Sequence, residues 1–172
     1  MLRAIVAVSA AALLAGCISK SNSEVVAALP SDWSRTSRVE TITLERSPEI
    51  KVSDEFDAVF QSRVKARLDK CATGDRPLRL EARIDKVSKA NPFVTAILFG
   101  QNKVRGTARL VDVQTGQVLG EYRIGQTITG SRVGVVAMAQ AEEQLSEAFG
   151  AEVCTQAFGA PAERFVTGSA GN

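Results

Sequence analysis

Histidine is absent from this chain. That absence removes Ser/His and Cys/His catalysis, imidazole metal sites and imidazole pH switching. Cysteine is scarce, at three residues, and two thiols beyond the first with no histidine give no reason to expect a metal or a cofactor. One-signed charge is lacking too: the formal net charge is +2, too small to suggest a nucleic-acid ligand by itself. Neither a Gly-x-Gly-x-x-Gly turn nor a Gly-rich Lys-Ser/Thr phosphate loop occurs. What remains is ordinary for a globular protein: 172 residues, 45% hydrophobic and 23% charged, enough for one domain with tails.

The N-terminus carries an address. Arg3 is the only charge in residues 1–16, and Ala4 to Gly16 is apolar. The run is shorter than the ~20 residues a spanning helix needs, so it reads as a secretory signal. Its end, Leu14-Ala15-Gly16-Cys17, resembles the lipobox of bacterial lipoproteins. The resemblance implies cleavage before Cys17 and diacylation of its thiol, with two or more acyl chains giving a stable membrane anchor. An ordinary signal with Cys17 incidental is the alternative. Ile18 stands where enterobacterial lipoproteins retained in the inner membrane have Asp, which implies the outer membrane, on its periplasmic face. Cys71 and Cys154 are an even pair in an oxidising compartment. They read either as a disulfide, closing a loop worth roughly 4–5 kcal/mol, or as two separate buried thiols.

Residues 17–37 are rich in Ser, Ala and polar side chains and read as the lipidated N-terminus and a tether. Trp33 is expected to dock that tether on the domain rather than to sit in lipid. The domain is expected over residues 38–158, with a disordered tail over 159–172. Val39, Ile42 and Leu44 start it as a strand. Ser53 then reads as a helix N-cap, and Phe56, Val59, Phe60, Val64 and Leu68 trace one helical stripe over about 54–70. Leu78, Leu80, Ala82 and Ile84 alternate with charged residues, the signature of a half-buried strand. Val104 to Val113 and Gln117 to Ile128 are two strands around Gly116, which supplies a positive φ. Beyond Gly130 a long helix is expected, with Val135, Met138, Leu145, Phe149 and Val153 inside, Glu142 and Glu143 on the wetter side, and an end before Gly159. The class is α+β: strand-helix-strand-strand-strand-helix, a mixed or antiparallel sheet with two helices packed on one face.

The lipobox, this element order, Gly100-Gln101-Asn102-Lys103-Val104-Arg105 and the phrase from Val111 to Leu119 together resemble small Gram-negative outer-membrane lipoproteins with a domain like the curli-export lipoprotein or the TolB N-terminal unit. The resemblance covers about residues 38–158. It implies a periplasmic binding or assembly accessory, not an enzyme. The long pore-forming insertions of the curli channel are not evident, so channel function is not carried over. Ser62-Arg63-Val64-Lys65 matches the Ser-x-x-Lys of penicillin-binding enzymes, but their Ser-Asp-Asn and Lys-Thr-Gly partners are absent. Glu142 and Glu143 are adjacent on a helix and cannot act as facing carboxylates.

Two surfaces are candidates. Phe93, Val94, Ile97, Leu98 and Phe99 lie in an uncharged apolar run, which is either a buried strand or loop, or an exposed patch for a protein partner, a second copy of the chain or a membrane. Between Arg63 and Arg109 fall twelve Lys or Arg and four Asp or Glu, a net of +8. Arg79 and Arg83 share one sheet face, and Lys103, Arg105 and Arg109 another or the same. They are either a surface for an anionic partner, such as lipid or lipopolysaccharide, or solvated faces balanced by acids nearby. The reading is a non-catalytic binding or assembly accessory of the cell envelope. Its alternatives are an accessory for binding and transporting lipid or lipopolysaccharide and, further off, an envelope hydrolase.

Overall fold

Alternation sets the sheet. The structure, a computed structural model, describes residues 18–91, 100–130 and 140–162. In chain order it has β1 (Ile18–Ser21), β2 (Glu24–Ala27), α1 (Ser31–Thr36), β3 (Ser37–Arg46), α2 (Phe56–Cys71), β4 (Arg76–Ser88), β5 (Gly100–Asp112), β6 (Val118–Gly130) and α3, at Ala141–Phe158. The strands form one six-stranded sheet in the order β1-β6-β5-β4-β3, with β2 also on β6. β3 runs parallel to β4, with α2 as the crossover, and the other pairings are antiparallel. The α+β class holds, and the sheet is mixed.

On β4, Leu78, Leu80, Ala82 and Ile84 point inward; β5 adds Val104, Ala108 and Leu110, and β6 adds Tyr122, Ile124 and Ile128. Against them lie Phe56, Phe60, Val64 and Leu68 of α2, on the stripe read from the sequence, and Leu145, Phe149 and Val153 of α3. Phe60 and Phe149 meet with ring centroids 5.2 Å apart, the tilted geometry that aromatic pairs prefer. Gly150 lets the helices approach: a Cβ there would lie 3.0 Å from Arg67 Cβ and 3.1 Å from Val64 Cα. Arg63 pairs with Glu143 and Glu147, and Arg67 with Glu147. The Cys71–Cys154 disulfide ties the two helices, with Cα atoms 5.7 Å apart.

The tether expected over residues 17–37 is corrected for residues 18–36. These residues form two strands and a short helix docked on the domain. Four-residue strands carry little propensity signal of their own; the exposed edge of β6 supplies their backbone partners. Asn22 extends the ladder by donating its amide to the Gly125 carbonyl at 2.7 Å. The Leu29 amide donates to the buried Tyr122 hydroxyl at 2.8 Å. Trp33 docks as expected, packed on the core with the Arg76 guanidinium 3.2 Å above its ring.

Two smaller expectations are also corrected. Ser53 does not cap α2, which starts at Phe56; its amide and hydroxyl both donate to the Glu142 carboxylate of α3. Glu142 is therefore not on a wet face: it is 14% exposed and also pairs with Lys89. The helix expected beyond Gly130 is described from Ala141 and ends at Gly159, whose φ of 69° is the left-handed cap glycine favours. Val135 and Met138, the signal over residues 1–16, and residues 163–172 of the expected tail lie outside the described residues.

Candidate functional site

The helices cover one face of the sheet. The opposite face carries exposed and half-buried polar side chains, and among the described residues no element packs over it. Register arranges it in rows, because directly opposed residues point the same way. One row runs Thr43, Glu81, Arg109, Glu121 across β3, β4, β5 and β6. The next runs Glu45, Arg83, Thr107, Arg123 and on to Glu24 of β2. Thr43, Glu81, Arg109 and Glu121 of the first row and Glu45, Arg83 and Thr107 of the second line a shallow groove of about 380 Å³.

Its charges are mostly paired. Arg79 meets Glu81 at 2.8 Å, Arg83 meets Asp85 at 3.4 Å, Arg109 meets Glu121 at 3.0 Å and Arg123 meets Glu24 at 3.1 Å. All five cations picked out in the sequence thus share this face. Arg79, Arg83 and Arg109 are held by carboxylates, whereas Lys103 and Arg105 have no carboxylate within ion-pair distance among the described residues. Sequence reading missed Lys20 of β1 and Lys86 of β4, which stand beside those two. Lys86 was legible as a cation on a strand, but the bulge between Ile84 and Lys86 resets its face. Lys20 was hidden by the tether reading.

Groups with displaced acidities lie elsewhere. Burial pushes Asp32 up, but Arg76 and nearby amides outweigh it and hold the carboxyl below its usual range. The Thr115 hydroxyl and the Gln114 amide hold Asp112 low, fastening the Asp112–Gly116 hairpin turn, where Gly116 takes the expected positive φ of 71°. Burial raises Tyr122 despite the Leu29 amide. Glu152 of α3, 7% exposed, accepts from Ser21 at 2.6 Å, from Gln156 at 2.8 Å and from Gln126. This cluster is a fastening: it fixes β1 to the last helix, and its carboxylate oxygens are satisfied. Among the described residues no group of three or more Cys, Asp or Glu is placed to hold a metal ion. Ser62 is exposed on α2, and Lys65 pairs with Asp69 one turn on. Cys17 and the apolar candidates Phe93, Val94, Ile97, Leu98 and Phe99 lie outside the described residues.

No family model matches the chain, and no curated protein matches it. Solved structures similar to it include the PelC dodecamer from Paraburkholderia phytofirmans, at 13% identity over 81% of this chain and 99% of that one, with a TM-score of 0.46. Others are a protein described as a lipoprotein from Caulobacter crescentus (11% identity, 64% and 84% covered, TM-score 0.40) and a DUF330 protein from Xanthomonas campestris (12%, 77% and 93%, TM-score 0.37). At these scores the likenesses assign no chemistry, and the site is read from its own residues.

Proposed function

We propose that this chain is a lipid-anchored protein of the bacterial outer membrane, on the periplasmic face, that acts without catalysis as a binding or assembly accessory. The Leu14-Ala15-Gly16-Cys17 end of the leader supports the anchor. The observation that carries the binding role is the open sheet face. It is about 20 Å by 30 Å by strand spacing and rise, of the order of one side of a standard protein interface, ~800 Å². Rigid strands hold its alternating acids and bases in fixed register, which favours selection among partners by charge complementarity. The groove is lined by threonines, carboxylates and guanidinium groups, which suits a polar protein surface better than acyl chains.

Two measurements test this. Metabolic labelling with radioactive palmitate marks the wild type and leaves Cys17→Ala unlabelled if the anchor is real. Affinity capture from solubilised envelopes then compares the lipidated wild type with Arg83→Glu/Arg123→Glu, two exposed positions at the centre of the face. A protein captured by the wild type is lost from the variant, while circular dichroism and anchoring stay unchanged. If that protein is a second copy, the wild type alone shows the larger mass. An unchanged set of captured proteins removes the open face as the binding surface.

A further inference from the structure

The charge on the open face is graded along the strands. The rows through Arg109 and Arg83 alternate acid with base. Towards Ile18 the acids stop. Lys86 stands directly opposite Arg105. In the next row Thr127 is the partner of both Lys103 and Lys20. Asp85, at the adjoining bulge, is taken by Arg83. Lys20, Lys86, Lys103 and Arg105 thus share a patch three strand spacings across, about 15 Å. No carboxylate of the described residues lies within ion-pair distance of any of them. Like charges set side by side on a sheet repel. In the adjoining row Arg83 and Arg123 are served by Asp85 and Glu24, so the unserved cations of this strip are left for something outside the chain.

Its position says what. Ile18 pairs with Thr129, two residues beyond Thr127 on β6, and Cys17 is one peptide bond from Ile18. β1 is no tether, because Ser21 is bonded to buried Glu152. A lipid at Cys17 therefore lies three residues from Lys20, about 10 Å of extended chain, close to the ~8 Å screening length at physiological salt. We infer that Lys20, Lys86, Lys103 and Arg105 form a docking strip for the anionic phospholipid headgroups of the membrane that holds Cys17. This rests on the anchor proposed above and adds an orientation to it: the basic end of the open face lies against the bilayer, and the paired rows stand away from it. Phosphate oxygens take up the cations that no carboxylate serves, each cation near an anionic surface being worth a factor of about five in affinity.

The test uses the full lipidated chain mixed with two kinds of vesicle, all phosphatidylcholine or phosphatidylcholine with one third phosphatidylglycerol. Flotation reads the anchor; amine acylation followed by mass spectrometry reads the strip. The expected result is flotation with both, and several-fold protection of Lys20, Lys86 and Lys103 on the anionic vesicles only. Lys51 and Lys70 should be equally reactive on both, and high salt should abolish the protection. Flotation with both but no composition-dependent protection overturns the strip and leaves the anchor standing. Failure to float on neutral vesicles overturns the anchor. The strip is then read by flotation on anionic vesicles alone: loss of that flotation in Lys20→Gln/Lys86→Gln/Lys103→Gln/Arg105→Gln supports it, and its absence in the wild type overturns it.

Discussion

Glu142 shows how much one side chain connects. Its carboxylate takes the Ser53 amide at 3.0 Å, the Ser53 hydroxyl and the Lys89 ammonium at 2.7 Å, joining the start of α3 to the segment before α2 and to the end of β4. Burial pushes the acid up, but Lys89 and Ser53 outweigh it, so the folded pKa lies below the unfolded one. A depressed acid contributes stability above its unfolded pKa, about 4.3, and loses it as pH falls through the folded value. Glu142→Gln should therefore lower the urea midpoint at pH 7, and the gap from wild type should narrow as pH falls below about 4.3. A gap that stays constant with pH would mean the charge contributes nothing. Tyr122 is the second such residue. Tyr122→Phe leaves the Leu29 amide without its partner in a buried position, a loss of about 1–3 kcal/mol. Hydrogen exchange at Leu29 should quicken by more than at the β5–β6 ladder. Equal rates at both would mean that residues 18–36 are not held by this bond.

The helix pair carries a covalent fastening beside its Phe60–Phe149 contact and its ion pairs. The disulfide closes a separation of 83 residues, which the chain-entropy account values at about 4.5 kcal/mol. Cys71→Ser/Cys154→Ser should lower the thermal midpoint by roughly 10–15 °C for a domain of this size, with the folded far-UV spectrum retained at low temperature; a shift of only a few degrees would show that packing alone holds α2 on α3. The disulfide was one of two readings open in advance, because the leader implied an oxidising compartment and the two thiols sat near the ends of two expected helices. The α2 stripe, the β4 alternation and the Gly116 turn were legible too, because each is written in local periodicity. β1 and β2 were not, since their stabilising partner is the edge of β6, about a hundred residues away in sequence. Nor was the neutral half of the charged face. Arg109 and Glu121 are twelve residues apart and meet only when the hairpin closes, so a count of basic residues between 63 and 109 overstated the charge that face presents.

At the scale of the whole molecule, the corrected tether changes what an anchor would do. A flexible linker lets a domain turn freely above a membrane. Here the residue after Cys17 is already in a strand, and that strand is bonded through Ser21 and Glu152 to the last helix. An anchor at Cys17 would then fix the end of the sheet, and with it the direction in which the open face points. Ten Gly-Ser residues inserted between Cys17 and Ile18 separate anchoring from orientation. Such a coil has a mean span of roughly 17–19 Å, about twice the ~8 Å screening length. The lipidated insertion variant should still float with vesicles of either composition, because its acyl chains are unchanged. Protection of Lys20, Lys86 and Lys103 on anionic vesicles should fall towards that of Lys70, because the domain spends most of its time beyond reach of the headgroups. Undiminished protection would mean the strip binds headgroups strongly enough to need no help from the anchor, and the short junction would then be incidental to orientation.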